Sequence, residues 1–249
     1  MPIDASDVDV LIPAYNYGRY LEACIESVFN QTATVGTVTV IDDGSTDDTP
    51  EVLAQLAVRF PIEIVRRENR GLVPTLRDLI GLTTRPFFVT LDADDALAPT
   101  FVEKCISTLR SDESLAYCYT KMRRSGDASG LAFVEPFDAR RLICSGNFIG
   151  GRAAMTRRSS YERTRGYRDL PALEDWDLWL AFLDEGLRGV LIPEPLYEWR
   201  QHGPSRNTMT VKQERRLRRR IQFAHPRLLV RYYPGYLPVA GANLVRRFR

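Results

Sequence analysis

The chain alternates between short apolar runs and segments with helical spacing. "VDVLIPAYN" (8–16) is an apolar run closed by turn residues, and "YLEACIESVFNQ" behind it carries Leu21, Ile25, Val28 and Phe29 at helical intervals. "VGTVTVIDDGSTDDT" repeats the unit: a β-branched run, an acidic Gly-Ser turn, then the helical "PEVLAQLAVRF". Ser45, Thr46 and Asp47 are candidate caps there, and Pro50 suits a first turn. "IEIVRR" and "RPFFVTL" predict a third and a fourth strand, followed by helices in "VPTLRDLIGL" and "TFVEKCISTLRS"; "LAYCYTKM" predicts a fifth strand. Such alternation implies an α/β fold with a doubly wound, mostly parallel sheet, whose ligands sit beyond the carboxyl ends of the strands. Two of those ends, "IDDGS" and "LDADD", are acidic.

The pattern changes after about Arg123. The stretch from Phe133 to Tyr167 shows no clean period, "LEDWDLWLAFLDEG" predicts an amphipathic helix, and "RGVLIPEPLYEWRQHG" predicts a late strand and loop. There is no internal repeat, and the one biased tract is "RRLRRR".

Composition fits this picture. The chain has 249 residues, 44% hydrophobic and 27% charged, which suits one large α/β domain or a main domain with a small appendage. The four cysteines have no C-x-x-C spacing and read as free thiols of a reducing compartment. "MPIDASDVDV" lacks a secretory h-region, and no apolar run is long enough to span a bilayer, so the expectation is a cytoplasmic chain. The charge is uneven. From Val211 onward there are eleven Lys/Arg and one acid, Glu214, leaving 23 basic and 31 acidic residues before it out of 34 and 32 in all. An acidic body with a basic tail points to an anionic partner.

Asp92, Asp94 and Asp95 follow a buried strand directly. Residues at i and i+2 project alike from extended chain, so Asp92 and Asp94 can grip a hard cation, Mg²⁺ or Mn²⁺; a solvated capping turn is the other reading. Asp42 and Asp43 can accept from a base or ribose, or simply close a turn. Tyr15 can stack on a base, with Pro13 and Ala14 leaving room beside it, or belong to the core. Arg77 can meet a diphosphate, or pair with Asp78 or Glu68 at the surface. Glu174 and Asp175 open a Trp-rich helix, either as a general base beside aromatic surface or as acids favouring the helix dipole. His202, between Arg200 and Arg206 on a Gly-Pro loop, suits a lid over a metal–diphosphate.

In chain order, "VLIPAYNYGRYLEACIESVFNQT", "VTVIDDGSTDDT", "ENRGLVPTLRD", "FFVTLDADD", "LEDWDLWL" and "YEWRQHG" closely resemble the family 2 glycosyltransferases over roughly Val8 to Asn207. The resemblance implies a GT-A fold, a nucleotide-sugar donor (a UDP-sugar by family habit), a divalent metal and inverting transfer of a single sugar. It also implies residue roles. Pro13, Ala14 and Tyr15 fall where the family binds the nucleoside, Asp42 and Asp43 where it holds the base, and Asn69 and Arg77 near the nucleotide. Asp92, Asp94 and Asp95 fall at the metal and sugar diphosphate, Asp175 at the general base, and His202 at the metal or diphosphate. Glu174, Trp176 and Arg200 flank the acceptor or lid. "LRD" departs from the family's commoner Arg-Asn pair, and neither a Q-x-x-R-W motif nor transmembrane helices mark a processive synthase.

The expected organisation is a catalytic domain over 1–207, with a nucleotide half to 123 and an acceptor half from 124, and a basic appendage over 208–249. That appendage is read either as a peripheral contact with the inner face of a membrane, serving a saccharide or lipid-linked acceptor, or as a helical segment packed on the catalytic domain. Two competing functions explain less. A nucleotidyltransferase wants a Gly-rich loop after the first strand, which "IPAYNYG" does not supply, and an RNA- or membrane-binding protein acting through its tail leaves the ordered acids without a purpose. No nucleic-acid partner is expected.

Overall fold

The computed structural model describes residues 3–150, 152, 154–202 and 209–233. A small parallel pair, β1 (Ile3–Ala5) and β3 (Ala33–Val35), sits apart from the main sheet. The main sheet starts with β2 (Val8–Ala14), β4 (Val38–Asp42), β5 (Ile62–Arg66) and β6 (Phe87–Thr90), all parallel, in the order β5-β4-β2-β6. Every residue of β2 is buried, as a central strand covered on both faces requires. Even Asp9 is inside, accepting from Thr37 N at 2.7 Å and from the Thr83 hydroxyl. The connecting helices α1 (Gly18–Phe29), α2 (Thr49–Arg59), α3 (Leu72–Leu82) and α4 (Phe101–Ser111) turn Leu21, Ile25, Leu53, Leu76, Leu79 and Ile106 into one core.

Beyond β6 the sheet changes direction. β7 (Ala96–Leu97), β8 (Leu115–Gly126), β9 (Gly130–Leu131), β10 (Ala154–Arg157) and β11 (Arg188–Gln201) extend it as β6-β10-β8-β11-β7, with β9 pairing β8. β10 runs antiparallel to both neighbours, while β11 runs parallel to β8. The "irregular" stretch therefore contains β10 together with α5 (Ala139–Ser145) and α6 (Arg158–Tyr161). Elements of four to seven residues are too short to show a period.

α7 (Glu174–Asp184) forms where the amphipathic pattern places it, and packs Trp179 and Phe182 on Tyr117 of β8, with ring centroids 4.6 and 5.1 Å away. Gly189 of β11 makes room for that ring, since a Cβ there would lie 2.0 Å from it. The basic segment forms α8 (Val211–Phe223) and α9 (Pro226–Tyr232). The boundary expected at 207/208 and the Gly-Pro loop after His202 lie outside the described residues. Among the described residues no helix is long and apolar enough to cross a membrane.

Candidate active site

The carboxyl ends of β2 and β4 are tied together through Asn16, which adopts φ 59°. Its backbone N–H donates to Ser45 Oγ at 2.9 Å, and its Oδ1 accepts from Thr46 N at 2.8 Å. The turn leaves Tyr15 45% exposed, while Pro13 and Ala14 are buried strand residues that offer a ligand only their shape and backbone. The two neighbouring acids differ. Asp43 accepts from Arg67 Nε at 2.9 Å and Arg70 N at 3.1 Å through Oδ1 and from Gly71 N at 2.8 Å through Oδ2, and so holds the 67–71 loop in place. Asp42 accepts from Ser45 N at 2.9 Å through Oδ1, but its buried Oδ2 has no hydrogen-bond donor; Arg66 Nε lies 3.4 Å off, within ion-pair range only.

Gly44 lets the 67–71 loop approach. It sits at φ 80°, and a Cβ there would fall 2.6 Å from Asn69 N. Asn69 itself is exposed beside this turn. Arg77 donates to the Tyr167 carbonyl at 2.8 and 2.6 Å. Asp78, one of the surface partners suggested by the sequence, pairs instead with Arg70, at 2.9 Å, and with Arg67.

At the end of β6, Asp92, Asp94 and Asp95 each present an oxygen within 4.8 Å of the others. Each has a different fixed partner. Asp92 receives Arg152 Nε at 2.7 Å and Nη2 at 2.6 Å. Asp94 Oδ2 meets His202 Nε2 at 2.9 Å, and that imidazole stacks on Tyr20 with centroids 4.5 Å apart. Asp95 is buried and accepts from Tyr197 Oη and from Arg200 N, each at 2.8 Å. Burial and the charges of Asp92 and Asp94 hold the Asp95 carboxyl well above the usual range. Burial also raises Asp92, with Arg152 pulling it back. Hard oxygen donors at this spacing fit a divalent cation; Asp92 and Asp94 are only partly buried, whereas Asp95 is buried and held by Tyr197 and Arg200. The Arg200 side chain adds to this: its Nε donates to the Asp94 carbonyl at 3.0 Å, so it braces the acidic turn where the sequence suggested a lid.

α7 supplies the opposite wall. Leu173, just before it, is a non-glycine residue at φ 60°, a conformation that costs about 1–3 kcal/mol and recurs at functional sites. Glu174 is buried against Arg152 Nη1 at 3.3 Å. Asp175 is half-buried. Its Oδ2 accepts from Asn147 Nδ2 at 3.1 Å and its Oδ1 from Trp176 N at 2.8 Å. Burial first, then the neighbouring Glu174 charge, push its carboxyl up to about 6, against the pull of Arg152. Trp176 corrects an expectation. It is 1% exposed and donates from Nε1 to the Leu142 carbonyl at 2.8 Å, so it packs as core and forms no acceptor wall or lid.

Arg152 and Asn147 escape a reading of the sequence. β10 pairs Met155 with Val89 and Thr156 with Phe88, and the same antiparallel register brings residue 152 opposite Asp92. The available signal was an arginine in the otherwise small and apolar "IGGRAAM", which burial tolerates only beside carboxylates. Asn147 carried no signal at all. Its Oδ1 accepts from Ile149 N at 3.0 Å, which fixes the amide so that Nδ2 faces Asp175.

Comparison with known proteins agrees with this architecture. Residues 9–165 match the family model "Glycosyl transferase family 2". The chain is 32% identical over 184 residues to the chondroitin synthase of Escherichia coli, covering 72% of this chain and 27% of that protein, so it spans about a quarter of that relative's length. Among solved structures, Staphylococcus aureus TarS 1–349 in complex with UDP-GlcNAc superimposes with a TM-score of 0.72 at 14% identity, over 93% of this chain and 72% of that one. The mannosyltransferase PcManGT of Pyrobaculum calidifontis, in complex with GDP-Man and Mn²⁺, gives 0.61 at 21% identity, over 96% and 74%.

Proposed function

The chain belongs to glycosyl transferase family 2 and has its GT-A fold, and we propose that it moves one sugar from a nucleotide-diphosphate donor to an acceptor hydroxyl with inversion at the anomeric carbon. One observation carries the reading. A single guanidinium, Arg152, touches both Asp92 on the strand side and Glu174 beside Asp175 on the helix side, so the acidic turn and the helix start line one site.

Tyr15 offers its exposed ring to the base, and the unsatisfied Oδ2 of Asp42 accepts an N–H or hydroxyl from the nucleoside. Asp43 acts indirectly by holding the loop that carries Asn69. A Mn²⁺ or Mg²⁺ ion held by Asp92 and Asp94, with His202 at its edge, would neutralise charge on the departing diphosphate. Asp175 takes the proton of the acceptor hydroxyl as that oxygen bonds to the anomeric carbon and the bond to diphosphate breaks. A carboxyl pushed up to about 6 is largely ionised at pH 7 yet basic enough for that transfer. Asn147 and Trp176 N keep its two oxygens oriented. Attack from the face opposite the leaving group inverts the centre, and one base suffices.

A UDP-sugar is the preferred donor, in line with the UDP-GlcNAc bound by TarS. The acceptor is a saccharide or lipid-linked hydroxyl, with the basic C-terminal segment against a membrane. A thermal-shift screen of UDP-, GDP- and dTDP-sugars with Mn²⁺ or Mg²⁺ tests the reading. Stabilisation by one nucleotide sugar that EDTA abolishes is expected; no stabilisation by any of them with either metal would refute it.

A further inference from the structure

The ends of β8 and β11 carry side chains that the chemistry above does not use. Their register sets Trp199 beside Arg124 and Arg200 beside Ser125. Trp199 is 37% exposed, and the Arg124 guanidinium lies 6.0 Å from its ring centroid. Arg124 is half-buried, its Nε is buried with no hydrogen-bond acceptor, and among the described residues no carboxylate pairs with it. The Ser125 hydroxyl beside it is buried and unpaired as well. Withdrawing a cationic N–H from water without an acceptor is unfavourable, and a ligand oxygen placed there reverses the loss.

The pair borders both walls of the site. Arg200, next to Trp199 on β11, donates from its backbone N to Asp95 Oδ1 at 2.8 Å and from Nε to the Asp94 carbonyl at 3.0 Å. Met122 and Tyr197 are paired two residues before Arg124 and Trp199, hence on the same side of the sheet. Met122 packs on Gly150, where a Cβ would lie 2.6 Å from its Cε. Gly150 belongs to the segment in which Asn147, fixed by Ile149 N, holds Asp175. An acceptor hydroxyl that reaches Asp175 beside the acidic turn therefore has Trp199 and Arg124 within its surroundings.

The chemistry of the pair is selective. An exposed indole offers a flat apolar face to the C–H face of a sugar ring, and the guanidinium beside it suits a carboxylate, sulfate or phosphate. The neighbours of Trp199 along and across the strands are Glu198, Arg200, Arg123 and Ser125. That polar surround matches a hydroxyl-rich ligand better than the apolar centre of a protein interface.

We propose that Trp199 and Arg124 form a subsite for a saccharide carrying an anionic group, and that this saccharide is the acceptor. Its place as acceptor rests on the transferase reading; its binding does not.

The test titrates the full-length protein with uronate-, sulfate- and phosphate-bearing oligosaccharides and with their neutral counterparts. Trp176 and Trp179 are buried, so quenching of tryptophan fluorescence by acrylamide reports on Trp199. Protection of Trp199 by anionic members is expected, with the neutral counterparts binding about tenfold more weakly. By calorimetry, Arg124→Gln should remove that preference and Trp199→Phe should weaken every member severalfold. The three anions within the set tell carboxylate, sulfate and phosphate apart. Binding that is indifferent to both variants belongs to the basic segment after 210 and overturns the proposal. Equal affinity for the neutral counterparts, or no protection by any anionic member, overturns it too. Thermal melts check the fold, and Trp199→Phe serves alone if Arg124→Gln fails to fold. Nucleotide-sugar binding in the thermal-shift screen is read separately, so failure of the subsite and failure of the transferase reading are told apart.

Discussion

Replacing Asp175 by Asn should abolish transfer and stabilise the fold, two effects that usually oppose each other. The folded carboxyl is raised from 3.8 to about 6, chiefly by burial. The folded state therefore binds the proton more tightly than the unfolded chain. The stability this contributes is complete at low pH and is lost as pH rises between about 4 and 6. At pH 7.5 the ionised group costs at most about 3 kcal/mol relative to a neutral one, and solvent reaching this half-buried side chain reduces that to about 1–2 kcal/mol. Asparagine keeps the shape but has one oxygen, so it accepts from Asn147 Nδ2 and turns its amide toward Trp176 N; losing that one hydrogen bond, about 1 kcal/mol, leaves a gain of at most about 1 kcal/mol. For a chain of this length that corresponds to a Tm gain of at most about 2–4 °C at pH 7.5, shrinking to nothing near pH 4. Differential scanning fluorimetry across pH 4–8, with transfer assayed in parallel, measures both. A Tm that falls at pH 7.5, or a gain equally large at pH 4, would refute the account of a buried base whose ionised form is disfavoured. Transfer surviving at more than about a tenth of the wild-type rate would refute the catalytic role.

The remaining expectations concern neighbouring groups. Transfer by the wild type should rise with pH through an acid limb near 6, and Asn147→Ala should move that limb about one pH unit upward, since a donor to the ionised form is lost; kcat falls while donor affinity, by calorimetry, holds. Asp94→Asn should remove metal-dependent stabilisation by the donor while circular dichroism stays native; metal response retained at wild-type level would move the cation elsewhere. Gly189→Ala should cost about 1–3 kcal/mol in chemical denaturation, because its Cβ collides with the Tyr117 ring, with little change in donor affinity.

Sequence patterning reaches far for the first half of the chain and less far afterwards. β2, β4, β5 and β6 with their helices are legible because each pairs an apolar run with a turn, and parallel order follows from strand–helix alternation. β10 is not legible: four residues hydrogen-bonded on both edges by β6 and β8 need no periodicity of their own. The same limit hides Arg152, whose place opposite Asp92 depends on the register of that short strand. The Trp residues of "LEDWDLW" mislead in a different way. A helix whose first turn faces the site and whose body is buried all round shows one composition, and only packing separates Trp176, in the core, from Asp175, one residue earlier and at the site.

By itself the sequence determined the α/β class, the acidic strand ends and the order of motifs, because turn chemistry and side-chain periodicity act over a few residues. Tertiary structure decided which oxygens remain free. Asp43 is engaged by its own loop and Asp95 by Tyr197 and Arg200, while the buried Oδ2 of Asp42 has no hydrogen-bond donor and only Arg66 within ion-pair range. It also decided what stands among the three carboxylates of "LDADD": Arg152 and His202, from 60 and 108 residues away. The two readings of the basic segment cease to exclude each other, since one helix face packs on α5 and α7 and the other stays exposed. Hydrogen-bond saturation and charge pairing are settled by neighbours distant in the chain, and local pattern carries no record of them.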